Sequence, residues 1–326
     1  MTQKIEISHR TIIFTVLFIA LLWLASQIFQ ILVILFMGMI LMSALNPIVE
    51  KLERLKIPRL LAAILIYFTV LLFIILVLAG VIPPLVNQTN TLVARLPDYI
   101  EDLNLWWINE DIINTQINQL ISRLGSISLD MVRLTVSIFS NFIVVFTVIF
   151  ISFYLLLERK NLDDYLLKFF GSKDGKAAHV INKLEKRLGE WVRAQITLMV
   201  IVGLMSYIGL RLLGIDFALP LALLAGLLEI VPNIGPILSA IPAIFAGLAI
   251  SPVMALAVVA LYFLVQQLEN QLIVPQVMKK KAGLNPLVTI LALITGFKLG
   301  GAAGAVLAIP LVILGETLIK EFFLQK

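Results

Sequence analysis

Apolar residues run in long blocks separated by short charged intervals, and these blocks set the architecture. Residues 11–45 are apolar apart from Ser26-Gln27 and Gln30, a length that suits two short membrane helices joined by a tight turn. Residues 60–84 form a long span closed by Pro83-Pro84, 138–157 a further span and 194–214 another. A Pro/Gly-broken apolar region then runs to 278, and a last apolar block covers 284–319. Two intervals break the pattern. In 85–136, Ile113, Ile117, Leu120, Ile121 and Leu124 recur at helical spacing among acidic residues, which predicts an amphipathic helical lobe. Its tandem Trp106-Trp107 suits either a headgroup-level anchor or the apolar face of a packed helix. Residues 158–193 are basic and helical in pattern.

The expected fold is all-α: a polytopic helical membrane protein with about five or six full spans plus two Pro/Gly-broken, re-entrant hairpins. Its expected divisions are N-terminal transmembrane helices (1–84), the extracytoplasmic lobe (85–136), one transmembrane helix (137–157), the basic cytoplasmic segment (158–193) and a transmembrane core (194–326).

Composition strengthens this picture. Hydrophobic residues make up 60% of the chain and charged residues 14%, with a mean hydropathy of +1.04, too little charge to coat a water-soluble surface of this size. The net charge of +5 resides in intervals between apolar blocks, where lipid headgroups account for it without nucleic acid. Cysteine is absent, which excludes disulfides and thiolate chemistry. His9 and His179 have no partner at metal-ligand spacing. There is no phosphate-binding GxxxxGK[ST] loop, HExxH or GxSxG, so the expectation is a non-enzyme without metal or cofactor. The first apolar stretch follows Arg10 but lacks a small-residue cleavage site, and reads as a retained helix.

Lysine and arginine concentrate in 46–59, in 158–193 and at Lys279-Lys280-Lys281, whereas 85–136 is acidic and lysine-free. The positive-inside rule puts the first three in the cytoplasm and the lobe outside, and counting crossings puts both termini in the cytoplasm. Between residue 214, outside, and Lys279, inside, the chain must cross an odd number of times. The candidates 219–231 and 236–250 reach only roughly 20–23 Å as helix, short of a ~30 Å core. Hence 219–250 is expected to be a hairpin entering from outside, with 252–275 as the crossing. By the same reasoning 284–319, interrupted by Gly300-Gly301, is a second hairpin, either re-entrant from inside or a pair of short crossings.

Three sites carry candidate chemistry. Glu229-Ile-Val-Pro232-Asn233-Ile-Gly235-Pro236 breaks a helix, and the backbone groups this frees are tolerated at membrane depth only when buried in protein or lining water. Glu229 beside it is a functional candidate, although a solvated surface turn fits the same letters. Gln266, Glu269 and Asn270 share a helix face and form either a polar stripe or a helix cap. Lys298, alone near the tip of the second hairpin, is expected to pair with Glu229 or Glu269 as a gate, or to snorkel. Gly296, Gly300 and Gly304 follow the small-xxx-small spacing of close helix packing.

With these residues in hand, the chain resembles the autoinducer-2 exporter family of bacterial membrane transporters. The resemblance runs through nearly the whole chain and is carried by Glu229 to Pro236, by Leu268-Glu269-Asn270 with Pro275, and by Gly283-Leu284-Asn285-Pro286-Leu287 through Gly296, Gly300-Gly301, Gly304 and Pro310. It implies export of a small molecule, typically a furanone-type quorum signal, by a homo-oligomer with a pentamer among its possible forms. Some relatives resemble sodium or lithium/proton antiporters instead. The leading expectation is therefore a secondary exporter in the bacterial inner membrane, with the lipid bilayer and a small molecule or monovalent ion as partners. An antiporter is the runner-up, with Glu229 and Glu269 as its carboxylates, and a non-transporting scaffold the third reading.

Overall fold

The computed structural model describes residues 9–102, 142–162, 165, 176–278 and 285–323, and every element among them is helical. The lobe beyond residue 102, with Trp106-Trp107, and the Lys279–Lys281 cluster lie outside the described residues. In chain order the helices are α1 (His9–Arg54), α2 (Arg59–Asp102), α3 (Phe142–Glu158), α4 (Lys176–Leu212), α5 (Ala218–Leu228), α6 (Ile234–Leu248), α7 (Pro252–Leu268), α8 (Val274–Met278) and α9 (Pro286–Phe323). A π-helical turn, Glu269–Ile273, joins α7 to α8. Among the described residues, five stretches are long and apolar enough to cross a membrane: Ile28–Arg54, Arg59–Pro84, Ala178–Leu212, Pro252–Val277 and Leu287–Glu321. This bears out a polytopic helical membrane protein.

Two expectations about the N-terminal half are corrected. The block 11–45 does not fold into two short helices; it lies within α1, which has 46 residues and is about 69 Å long. Ser26-Gln27 and Gln30 contain no glycine or proline to turn the chain, and a helix bonds its own backbone whatever polar side chains it carries. With one helix in place of two, the count of crossings that put the N-terminus beside the 46–59 loop no longer holds. Likewise, Pro83-Pro84 does not end α2, which continues to Asp102. The prolines mark the end of the apolar stretch Arg59–Pro84 rather than of the helix, so water can satisfy the carbonyls they leave unbonded. Nor is 193/194 a boundary: α4 carries the later part of the basic segment, from Lys176, and the apolar span as one rod.

The true helix ends have local causes. After α1, Lys56 takes a positive φ of 67°, while Ile57 N–H donates to the Leu52 carbonyl and Lys56 N–H to that of Glu53. After α4, Gly214 does the same at φ 75°, with Ile215 N–H on Leu210 and Gly214 N–H on Arg211. Both are left-handed C-terminal caps that occupy orphan carbonyls and bring two apolar side chains together; Leu210 and Ile215 are both fully enclosed. α7 starts at Ser251, whose Oγ accepts from Met254 N–H, with Pro252 at the first helical position.

α4 is the spine of the fold. Its C-terminal half joins α2, α5, α6 and α7 in one buried cluster around Leu210, Leu221, Ala225, Ala243, Val258 and Tyr262. On its N-terminal half, Leu184, Leu188 and Trp191 pack on Leu293, Ala308, Ile309 and Ile313 of α9. α1, α2 and α3 form a third cluster around Met42, Val49, Ala63, Tyr67 and Leu156. Glycines set the closest approaches. A Cβ on Gly226 of α5 would strike the Met199 carbonyl of α4, and one on Gly189 of α4 would strike the Ser43 carbonyl of α1.

Candidate functional site

The site is built where the first hairpin turns. α5 and α6 have 11 and 15 residues, about 16 and 22 Å, so neither crosses a ~30 Å core, as the sequence predicts. α5 unwinds through Ile230 N–H to Leu227 O and Val231 N–H to Leu228 O. Pro232 then has no N–H to continue the ladder. Asn233 adopts φ 64°, a backbone region that asparagine tolerates better than most side chains, and Gly235 N–H returns to Val231 O. Gly235 sits directly against the end of α5: an added Cβ would collide with the Leu228 carbonyl and the Glu229 nitrogen. The letters Pro, Asn and Gly therefore each meet a distinct demand of one tight turn.

That turn aims Glu229 inward. Its side chain is fully buried, and its backbone carbonyl accepts a hydrogen bond from Gln195 Nε2 of α4 at 2.5 Å. Glu269, 2% exposed, meets it from the π turn, and the two carboxyl groups lie within hydrogen-bonding reach of each other. As carboxylates they present only acceptors, so among the described residues Glu229 Oε1 and Oε2 and Glu269 Oε2 have no donor. Only a proton carried by one of them turns the contact into a hydrogen bond. Two carboxyl groups touching out of water cannot both remain bare anions; such a pair takes up a proton or a cation.

The π turn explains how Glu269 gets there. Pro275 offers no N–H to the Gln271 carbonyl, and its ring crowds that carbonyl in an α-helix. The chain widens by one residue instead, with Val274 N–H reaching back to Glu269 O. The helix therefore runs through the Gln266–Asn270 cluster and is not capped there. The shared polar face is corrected as well: Glu269 is buried, Gln266 half-buried and Asn270 exposed.

The remaining predicted residues fall as follows. Pro236 and Gly235 are buried, Pro232 is half-buried and Asn233 exposed. α9 is broken at Gly300 (φ −135°, ψ 17°) and Gly301 (φ 58°, ψ −143°), giving the second hairpin. Gly296 and Gly304 do not line one helix face; they meet across the two arms, each closed to a Cβ by the other's carbonyl. Gly300 is in the turn, with open space around it. Lys298 is exposed and makes no ion pair among the described residues, so the contact at the first hairpin joins two acids rather than an acid and a lysine.

A second polar region lies at the basic end of α4. Arg187 pairs with Glu316 and donates to Thr317 Oγ1, while Lys183 pairs with Glu321, tying α4 to the last turns of α9. On the opposite side, Glu185 accepts from Asn46 and Arg159, and Arg59 donates to Asn46, Glu53 and the Leu156 carbonyl. Sequence reasoning missed this network and missed Gln195. A glutamine two residues after Arg193 at the start of an apolar run was the available signal. Its partner, a backbone carbonyl in a distant turn, has no signature.

A family model described as AI-2E family transporter matches residues 12–323. YueF of Bacillus subtilis, whose name marks transport as its inferred role, is 29% identical over 99% of this chain and 94% of its own length. The AI-2 transport protein TqsA of Escherichia coli is 28% identical over 85% of this chain and 82% of its own length. YrrI of Bacillus subtilis, another inferred transport protein, is 26% identical over 82% of this chain and 79% of its own length. With the family pattern running through almost every described helix, this chain belongs to the AI-2E family of transporters.

Proposed function

We propose that this protein is a secondary exporter of a small solute in the bacterial cytoplasmic membrane, with AI-2 as the first solute to test and an ion gradient as the driving force. The observation that carries the reading is the contact between Glu229 and Glu269 at a buried helix break. A pair of acids kept out of water exchanges a small cation, H⁺ in the simplest case, when a conformational change opens it to one side. With both acids enclosed, the state seen here is read as an occluded one. The broken hairpins are the moving parts in this reading, and α4 is the frame against which they move. The 46–59 loop and the end of α9 face the cytoplasm, and the working unit is a homo-oligomer.

A sodium or lithium/proton antiporter is the second reading, favoured by the same pair because acids suit cations whether or not an organic solute moves with them. Purified protein in liposomes separates the two. AI-2 efflux that accelerates under an imposed pH gradient supports the exporter. Gradient-coupled sodium movement with no AI-2 movement supports the antiporter. Absence of both fluxes from the wild-type protein leaves the scaffold reading, and wild-type flux that survives replacing Glu229, Glu269 and Lys298 together removes these residues from the transport mechanism.

A further inference from the structure

Among the described residues, every buried side-chain oxygen without a hydrogen-bond partner belongs to Gln195, Ser206, Glu229, Tyr262 or Glu269. All five lie on α4, at the first break, or on α7 and its π turn. Ser206 and Tyr262 are not acids, and both depart from what this chain does elsewhere. Ser43, Thr69, Thr147, Thr197 and Thr317 each return their hydroxyl to the helix carbonyl four residues earlier. Ser206, fully buried, does not. Tyr67, the other buried tyrosine among the described residues, shares a hydrogen bond with Ser152 across α2 and α3. Tyr262 shares none. A buried hydroxyl left without a partner is destabilising, so each of the two calls for a reason.

Their placement supplies one. A Cβ on Gly209 of α4 would strike the Leu261 side chain of α7, so the two helices touch within a turn of both residues. Ser206 and Leu210 are a turn apart on one buried face of α4, and Leu210 packs in the same cluster as Tyr262. Leu221 and Ala225 of α5 and Ala243 of α6 belong to that cluster too, so the first hairpin covers this contact. On the buried face of α7, Tyr262 precedes Glu269 by two turns, about 10 Å of helix. The buried charges among the described residues are Glu185, Glu229 and Glu269, so this stretch of the α4–α7 contact offers hydroxyls without charge.

We infer that Ser206 and Tyr262 are hydrogen-bonding stations for the solute, taking an uncharged molecule that carries hydroxyl or carbonyl oxygens, on a route that opens between α4 and α7 when the first hairpin moves off them. This rests on the reading of the protein as a transporter with a moving hairpin. The acids handle the ion, and the hydroxyls, two turns along α7 toward Pro252, handle the solute. A hydroxyl that spends part of the cycle on the solute has no standing partner in the closed state.

The chain has no cysteine, so a single introduced thiol reports on wetting. In liposomes, Ser206→Cys is expected to react with a charged, membrane-impermeant methanethiosulfonate reagent. Ile208→Cys, on the exposed face of α4, is expected not to react, because lipid covers it. An unreactive Ser206→Cys overturns the route, whichever solute the protein moves, and so does equal reaction of the two thiols. Tyr262→Phe and Ser206→Ala remove only the hydroxyl. Each is expected to raise the KM for AI-2 efflux about tenfold, as for a site that loses a hydrogen bond to its substrate, with no fall in unfolding temperature. Tyr67→Phe breaks a hydrogen bond already made, and is expected to lower the unfolding temperature and leave KM unchanged. A KM within about twofold of wild type in both hydroxyl variants overturns the stations. So does a KM rise that comes with the same loss of stability as Tyr67→Phe. Wild-type protein that moves no AI-2 under a gradient sinks AI-2 as the solute and leaves the thiol reaction to decide the route. Wild-type AI-2 flux with an unreactive Ser206→Cys sinks the route and leaves the proposed function standing.

Discussion

The two broken hairpins share a design and differ in what they enclose. In the first, Pro232, Asn233 and Gly235 turn the chain tightly, and the charge beside the break, Glu229, is fully buried against Gln195 and Glu269. In the second, Gly300-Gly301 turn the chain at an exposed tip, and the charge beside that break, Lys298, is exposed. The first turn is crowded enough that a Cβ on Gly235 would hit backbone, whereas a Cβ on Gly300 meets nothing. The second hairpin is instead held near its base by Arg187–Glu316 and Lys183–Glu321, and midway by Gly296 against Gly304. A break in a membrane helix is thus not in itself a site. It becomes one where burial leaves a charged group with a single, chemically awkward partner.

The contrast can be broken most sharply at the acids. Glu229→Gln or Glu269→Gln is expected to cut gradient-driven flux in liposomes by about two orders of magnitude, the scale on which losing a proton-handling group acts. A loss of less than about twofold would dissolve the distinction between the hairpins. Pro275→Ala restores the N–H that the α-register needs, lets the π turn close and swings Glu269 off its partner; flux is expected to fall about tenfold or more while expression holds. For stability, Gly235→Ala is expected to cost about 1–3 kcal/mol by overpacking, read as a lower unfolding temperature. Gly300→Ala should stay within about 0.5 kcal/mol of wild type. Equal effects at the two glycines would mean that the turns do not differ as described. Glu316→Ala removes partners of Arg187 and Lys320 at a partly exposed surface and is expected to cost up to about 1 kcal/mol, with the difference shrinking in high salt. Smallest of all, Lys298→Gln should leave flux within about twofold of wild type, as expected of an exposed tip.

Much of this was legible in the letters. Apolar blocks of membrane length gave the class, and blocks too short to cross gave the first hairpin, because hydrocarbon allows backbone few other options. The candidates Glu229 and Glu269 followed from the cost of carboxylates at depth. Their contact with each other did not, since nothing in a linear pattern shows that the π turn before Pro275 rotates Glu269 inward past Asn270. Gln195 was hidden because its partner is a main-chain oxygen, which every residue has. The glycine series 296, 300, 304 was legible as a signal of close helix approach, and Gly296 and Gly304 do pack closely, but the spacing does not show that the turn at Gly300-Gly301 brings them together across two arms. The division of 11–45 into two helices failed because polar side chains were given the weight that only backbone-breaking residues carry.

The central claim is that the two buried acids work as one ion-handling unit. Its most direct test is AI-2 efflux from liposomes under an imposed pH gradient, compared for wild type, E229Q, E269Q and the double variant. Each single variant is expected to lose acceleration by the gradient, and the double to be no worse than either, because groups acting as a unit are not additive. A double variant whose flux still follows the gradient as wild type does would contradict the account.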